Sequence, residues 1–167
     1  ALRRAYSSEG GHLDICRARD SHFSGGLFAL FSPNQEAGET LSSGRPPSHE
    51  EARTICEDML MLTDELTTRF ADHVTKCLSV SDIRKAQANN KVAMVLHLEG
   101  AEMISHDCHE IETLYQRGIR SIGPLWSRPN IFGEGVPLSF PGSPDQGGAL
   151  SEAGKILVKA CNQYGIM

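Results

Sequence analysis

The sequence predicts an α/β protein, built as part of a (β/α)8 TIM-type barrel with a parallel sheet. Three short apolar runs of strand length alternate with amphipathic helical stretches along the 167 residues. Alternation of strands and helices implies parallel strands joined by right-handed crossovers. A complete eightfold barrel needs roughly 250 residues, so the three βα units of residues 1–167 are expected to form somewhat less than half of a single barrel domain.

The first predicted strand is the run Gly25-Gly26-Leu27-Phe28-Ala29-Leu30-Phe31, which glycines precede and Ser32-Pro33 follows. A nearly continuous apolar run of this length is typical of a strand buried on both faces. A loop rich in Gly, Ser and Pro follows from Asn34 to Pro47.

Two helices are predicted next. Ser48 and Glu51 have the spacing of a capping box, and apolar residues then recur every three or four positions. These residues predict one long amphipathic helix: Ile55, Met59, Leu62, Leu66, Phe70 and Val74. Ser81 and Asp82 predict the start of a shorter helix that ends near Ala88.

The second strand is predicted at Val92 to Leu98, and a helix from Asp107 to Arg117 follows it. Gly118 is placed to end that helix in the left-handed conformation. The third strand is predicted from Ile119 to Leu125 and is weakened by Pro124, because proline cannot donate a ladder hydrogen bond.

A long Gly/Pro loop precedes the last helix, which Ser151 caps and Gly165 ends. The chain begins with Ala1 rather than Met and stops at Met167, where an apolar strand is expected to begin. We therefore expect an internal piece of a longer polypeptide.

Composition narrows the class of protein. The net charge is -5 and no dense basic patch occurs, which argues against a nucleic-acid partner. No stretch has the length of a membrane span and no apolar signal-peptide core is found, so no membrane partner and a cytoplasmic location are expected. The five scattered cysteines form no C-x-x-C pair, which favours free thiols in a reducing compartment.

Glu99 is the candidate metal ligand. It closes the second predicted strand in the segment Leu98-Glu99-Gly100. A carboxylate at the end of a buried strand is costly unless a positive charge meets it, and the C-terminal end of barrel strands is where the chemistry of such folds lies. The alternative is a loop glutamate that reaches water.

Other titratable residues are weaker candidates. His12 and Asp14 have the H-x-D form of a metal pair, but the polar surroundings favour a loop with solvent-facing groups. Asp107 and Glu110 at capping-box spacing explain much of the apparent ligand cluster His106-Asp107-Cys108-His109 as a helix start. His97 points to the opposite face from Leu96 and Leu98, and a histidine with satisfied hydrogen bonds, in the core or packed on a helix, is its expected role.

The third predicted strand leads into a polar cluster. Trp126, Arg128 and Asn130 group an indole, a guanidinium and an amide at a strand end, which suits recognition of a small molecule with a carboxylate. The alternative is a packed loop in which Trp126 covers the barrel mouth and Arg128 pairs with an acid. No Ser-His-Asp or Cys-His arrangement is found, so hydrolysis would require metal-activated water.

Longer blocks carry a family resemblance. They are Gly10-Gly11-His12-Leu13-Asp14 with Arg17-Ala18-Arg19, the run 25–31, the segment 95–102, and the segment 114–130 that ends in Leu125-Trp126-Ser127-Arg128-Pro129-Asn130. Over nearly its whole length the chain resembles the membrane dipeptidase (renal dipeptidase) family of zinc metallopeptidases, especially its bacterial branch.

The resemblance implies a (β/α)8 barrel with two zinc ions that hydrolyses dipeptides, with a hydroxide between the metals attacking the peptide carbonyl. The position of Glu99 is that of the family's metal-bridging glutamate. The family's H-x-D pair would precede the segment that resembles Ala1–Arg4, and its later metal ligands would follow Met167. The segment that binds substrate in the family's animal enzymes is T-H-T, whereas this chain has Leu125-Trp126-Ser127. The substrate-binding role of the T-H-T histidine is therefore unfilled here or taken by other groups.

Because only one ligand of the implied two-zinc cluster lies within residues 1–167, this chain is expected to be inactive and to retain no zinc. The parent protein is expected to be a dipeptidase. Two alternatives stay open. One is a non-catalytic half-barrel that binds or assembles with a partner, a second copy included, through its open sheet edges. The other is a different metal-dependent amidohydrolase on the same barrel.

Overall fold

The computed structural model describes residues 12–36, 43–136, 140–143, 145 and 147–167. Within these ranges the chain alternates helices and strands, in the order α1 (Ile15–Asp20), β1 (Gly25–Phe31), α2 (His49–Arg69), β2 (Val74–Lys76), α3 (Val80–Ala88), β3 (Val92–Glu99), α4 (Ile111–Arg117), β4 (Ile119–Gly123) and α5 (Glu152–Tyr164). None of the helices in these ranges combines the length and the hydrophobicity that a membrane span requires.

The strands form one parallel sheet with β3 at its centre. β1 pairs along one edge of β3, while β2 and β4 pair with the first and last parts of its other edge. The register aligns Phe31 with Glu99 and Glu99 with Gly123, so three strands end side by side. The predicted parallel sheet and partial barrel are confirmed.

The two faces of the sheet have different neighbours. Leu96 and Leu98 are fully buried in the main core, where helices cover one face of the sheet. Ala93 and Val95 lie on the other face, called here the inner face, and pack with residues of α3 such as Ile83. The inner face is therefore closed at the N-terminal end of β3 and carries His97 and Glu99 towards its C-terminal end.

β1 is less buried than predicted. Leu30 is buried, but Gly26, Leu27 and Ala29 are exposed, so the prediction of burial on both faces is wrong. Leu27 and Ala29 lie opposite Val95 and His97 on the inner face, which no described helix covers at this level.

The predicted long helix is confirmed as α2 at its start and is wrong at its end. The Ser48–Glu51 capping box is present, but the helix ends at Arg69 and Val74 belongs to β2. Val74 is 2% exposed and bonds in register with Val92, so its burial belongs to the sheet rather than to the helix.

Three further boundaries differ from the predictions. α3 is capped by Ser79 and begins at Val80, one residue before the predicted start. α4 begins at Ile111 rather than at Asp107, and β4 ends at Gly123, immediately before Pro124.

The last residues of the chain extend the sheet. Gly165 ends α5 with φ +66, as predicted. The Met167 N–H donates to the Arg120 carbonyl, at 3.0 Å, and the Ile122 N–H donates to the Met167 carbonyl, at 2.9 Å. This is the bonding of a parallel neighbour of β4, in agreement with the predicted strand start.

Candidate functional site

The C-terminal edge of the sheet positions Glu99. It is the last residue of β3, between Phe31 of β1 and Gly123 of β4. Gly100 follows with φ +84, a conformation that favours glycine, and its N–H donates to the Gly123 carbonyl at 3.0 Å. The regular strand thus ends at Glu99, while the next two residues stay hydrogen-bonded to the carbonyls of Gly123 and Pro124.

The Glu99 side chain is half-buried on the inner face. Among the described residues, no hydrogen bond or ion pair holds its carboxylate. Carboxylate oxygens at the end of a barrel strand are suitable ligands for a divalent cation. The donor type therefore fits the metal that the resemblance implies, while the ligand role itself stays a prediction.

His97 lies two residues before Glu99 on the same face of β3. Its Nδ1 and the Ser121 hydroxyl are 2.8 Å apart, and Ser121 is buried. A Cβ at Gly123 would lie 3.7 Å from His97 Nε2, so the ring extends towards the strand end. The expectation of a satisfied histidine is confirmed, because its Nδ1 has a partner, but this partner is a buried polar residue of the inner face and not part of a helix.

Arg128 is held entirely by protein groups at this edge. Its Nε donates to Glu102 Oε1 at 2.9 Å, Nη1 to Asn34 Oδ1 at 2.8 Å and Nη2 to the Ser32 carbonyl at 2.5 Å. The side chains of Arg128 and Glu102 are only 6% and 7% exposed. This ion pair is the alternative that the sequence left open, and a contact between Arg128 and substrate stays a prediction.

Glu102 is a site residue that the sequence reasoning missed. Its Oε2 is buried without a hydrogen-bond partner in the described part of the chain. A Cβ added to Gly100 would lie only 2.4 Å from this oxygen, which is too close for two non-bonded atoms. The one signal in the sequence is a second acid three residues after Glu99, in the block Glu99-Gly100-Ala101-Glu102.

Two aromatic rings stand beside this ion pair. The centroids of Phe31 and Trp126 are 4.7 Å apart with the rings edge to face. The Arg128 guanidinium carbon lies 5.6 Å from the Phe31 centroid and 5.3 Å from that of Trp126, within cation–π range. Since Phe31 is in register with Glu99, the ring pair borders the candidate metal ligand.

Asn130 shapes the loop after β4. Its Nδ2 donates to the Pro124 carbonyl at 2.9 Å, and its Oδ1 accepts from the Phe132 N–H at 2.8 Å. Both ends of the amide therefore bond within the loop, and contact with substrate stays a prediction for this residue as well.

The segment after β3 is a tight polar turn. Ser105 Oγ donates to Asp107 Oδ1 at 2.6 Å and its backbone N–H reaches Glu110, while His109 Nδ1 is 2.8 Å from Asp107 Oδ1. The Ser105 and His109 contacts lower the pKa of Asp107 to about 2, and the Asp107 contact raises that of His109. The capping box predicted for Asp107 and Glu110 is wrong.

The members of the apparent ligand cluster separate in the structure. Cys108 is buried and His106 is exposed, whereas Asp107, His109 and Glu110 each offer an atom within 4.8 Å of the others. Their contacts with one another account for this closeness, and the cluster is not part of the strand-end site.

The H-x-D pair also separates. His12 is exposed, whereas Asp14 is 3% exposed and caps α1. Its Oδ1 accepts from the Arg17 N–H at 2.9 Å and its Oδ2 from Arg17 Nε at 2.6 Å. The prediction of a solvent-facing loop is wrong for Asp14, which has a structural role.

Comparison with known proteins gives a consistent set of relatives. The model of one family, membrane dipeptidase (peptidase family M19), matches residues 3–167. An uncharacterized protein in the PQQ-III 3′ region of Acinetobacter calcoaceticus is 37% identical over 158 residues, which are 90% of this chain and 50% of that protein. The chain therefore spans about half the length of this curated relative.

Solved structures are similar in the same way. The metallopeptidase dipeptidase AC, of family M19, superposes with a TM-score of 0.87 and 36% identity, over 96% of this chain and 47% of its own. A metallopeptidase from Rhodobacter sphaeroides, liganded with a phosphinate mimic of the dipeptide L-Ala-D-Ala, has a TM-score of 0.87 and 34% identity, over 96% of this chain and 49% of its own.

Proposed function

Since the chain belongs to the membrane dipeptidase family (peptidase family M19), we propose that it forms part of a metal-dependent dipeptidase. The observation that carries the proposal is Glu99. Its carboxylate is half-buried on the inner face, at the end of the central strand, and the described residues leave it without a partner. An acid in this position gains from binding a cation, because partial burial without a counter-charge is unfavourable.

The metal is proposed to be zinc, as two ions, and Glu99 is the residue of this chain that would hold them. The remaining ligands, an H-x-D pair and later histidines, are expected from residues outside 1–167. When bound, the ions would supply Lewis acidity and an activated water for hydrolysis of the peptide bond. Glu99 would hold the pair together, and residues 1–167 alone are proposed to be inactive.

The substrate is proposed to be a dipeptide, which Trp126 contacts from the loop after β4. Trp126 is half-buried and lines a cavity with Leu125, Ser127 and Val136. The sequence also predicts direct contacts from Arg128 and Asn130, but their polar groups already bond within the protein. We therefore assign them a smaller part in substrate binding than Trp126.

Substitution of Glu99 tests the function. In the full gene product, Glu99→Gln is expected to remove bound metal and to lower kcat/KM for L-Ala-D-Ala by at least about 10²-fold, because even the partners of metal ligands contribute that much. That dipeptide is chosen because the similar R. sphaeroides protein binds its phosphinate mimic. Metal content by mass spectrometry and release of free alanine are the measurements.

The matched control is Glu112→Gln, in α4, whose carboxylate contacts Gln116 at the helix surface. It is expected to keep both metal and rate. Full metal content and full rate in the Glu99→Gln protein would overturn the proposal. A panel of dipeptides and other amides, with and without chelator, separates a dipeptidase from another metal-dependent amidohydrolase.

A second candidate is a non-catalytic half-barrel that associates with a partner chain. The exposed inner-face residue Leu27, 53% exposed, favours it, because large apolar side chains on an uncovered sheet face tend to be buried by association. A cytoplasmic location is part of the proposal, and the five free cysteines support it.

A further inference from the structure

Three loops meet at the buried Arg128. Ser32 and Asn34 follow β1, Glu102 follows β3, and Arg128 itself follows β4. The three bonds join residues that are 96, 94 and 26 positions apart. One guanidinium thus ties together the strand ends that surround Glu99.

A buried ion pair stabilises the contact between loops less than apolar packing would, because both charges must lose their water. Removal of two charges from water costs several kcal/mol per ion, and apolar side chains of similar size often stabilise a protein more. What an arginine adds is a rigid planar fork that also stacks on aromatic rings. Here the guanidinium lies near both Phe31 and Trp126. These two rings pack edge to face, which is one of the preferred arrangements of an aromatic pair.

We propose that Arg128, held by Glu102, is a positioning residue that fixes Phe31 and Trp126 as one aromatic wall beside Glu99. The wall then presents a rigid apolar surface to the dipeptide side chain that lies next to the metal-binding carboxylate. The role in catalysis rests on the proposed function, whereas the contact with Trp126 does not.

Trp126 reports on this contact directly, because it is the single tryptophan of the 167 residues. Two variants release it: Arg128→Lys, which keeps the charge but loses the fork, and the double variant Arg128→Met/Glu102→Gln, which leaves no buried unpaired charge and is therefore expected to fold. In both, acrylamide quenching of Trp126 is expected to rise and its emission maximum to shift to longer wavelength. Far-UV circular dichroism verifies folding.

Two additional variants sharpen the test. Asn34→Ala removes one acceptor and keeps the ion pair, so a smaller shift in the same direction is expected even if the stronger variants unfold. Arg120→Gln is the control, since Arg120 also lies over an aromatic ring, that of Tyr115 at 3.8 Å, but near the N-terminal end of β4. It is expected to leave Trp126 emission unchanged.

Kinetics of the full gene product separate positioning from mere stability. A loosened wall is expected to lower kcat/KM by about 10²-fold, chiefly through KM, with metal content unchanged. A purely structural role would lower the active fraction, hence the apparent kcat, and leave KM as it was. Unchanged quenching in the folded variants, or an unchanged KM, would overturn the proposal. Altered quenching in the 167-residue chain, together with a full gene product that hydrolyses no dipeptide, would instead refute only the proposed function.

Discussion

Gly100 shows how one missing side chain shapes the site. Its φ is +84, and a Cβ there would stand 2.4 Å from the buried Glu102 Oε2. Gly100→Ala is therefore expected to lower the free energy of unfolding by about 1–3 kcal/mol from backbone strain alone, and to displace Glu102 from Arg128. Urea unfolding measures the first effect and Trp126 emission the second.

Gly123→Ala is the matched control for that substitution. A Cβ at Gly123 would meet only ordinary contacts, at 3.6 Å from the His97 ring and beyond. Because Gly-to-Ala changes without strain reduce the entropy of the unfolded chain, its stability is expected to be unchanged or slightly raised. Equal losses at the two glycines would contradict the steric explanation.

His109 and Asp107 form an exposed ionic pair whose titration can be predicted. The Asp107 contact raises the pKa of His109 above 6.5 and the Ser105 and His109 contacts lower that of Asp107 to about 2. The stabilising effect of His109 is then full below about pH 6.5 and is lost as the pH rises through its raised pKa. The effect of Asp107 is present above pH 3.8 and is lost as the pH falls towards 2.

Asp107→Asn is expected to return the pKa of His109 towards 6.5, as followed by NMR of the imidazole protons. Asp82→Asn in α3 is the control and should leave the His109 titration as it is. A His109 pKa that does not move in Asp107→Asn would show that the contact with Asp107 is absent in solution.

The strand end at Glu99 can be predicted from the sequence, but the side-chain contacts around it cannot. The apolar run up to Leu98 predicts a strand, and the polarity change at its end predicts a site, because both signals lie within a few residues. The contacts of Arg128 depend on residues up to 96 positions away. They become predictable only when the register of β1, β3 and β4 is known.

Among the elements, α2 depends on its first turn. The Ser48 side chain accepts from the Glu51 N–H at 3.2 Å, and the Glu51 carboxylate accepts from the Ser48 N–H at 2.7 Å. Ser48→Ala is expected to cost about 1 kcal/mol of unfolding free energy. Thermal or urea unfolding measures it.

Thr68→Ala, at an exposed position near the other end of α2, is the control for the capping prediction. A surface change of this kind is expected to stay within about 0.5 kcal/mol. A loss at Ser48 no larger than that at Thr68 would mean that tertiary packing, rather than the cap, fixes the start of the helix.

The helix ends agree with the sequence predictions where a single capping residue or glycine marks them. Gly118 and Gly165 terminate α4 and α5 with positive φ, and Ser48 and Ser151 cap α2 and α5. The sequence predicts Val74 in α2 because it continues the helical spacing after Phe70, whereas in the structure a three-residue strand pairs it with Val92. A strand this short has no periodicity of its own, so only its partner reveals it.

The inner face of the sheet is covered at the N-terminal end of β3 and open at its C-terminal end. Cys77, Ile83 and Ala86 pack with Ala93 and Val95 at the N-terminal end of β3. Towards the C-terminal end lie Glu99 and the rings of Phe31 and Trp126, at the edge where the proposed chemistry would take place. The described part of the chain covers the outer face with helices and leaves Leu27 and Ala29 of the inner face exposed.

The inner face that the described residues leave open should make the 167-residue chain associate with itself or bind apolar probes. Leu27 is 53% exposed on β1, a strand whose second edge has no partner among the described residues. We expect concentration-dependent elution in size-exclusion chromatography and fluorescence of bound anilinonaphthalene sulfonate, both reduced by Leu27→Asn. Met61→Asn is the control, because Met61 is 58% exposed but lies on α2, away from the inner face. A monomer that binds no probe would show that this face is covered in solution by a part of the same chain. Equal effects of the two variants would show that association does not depend on the inner face.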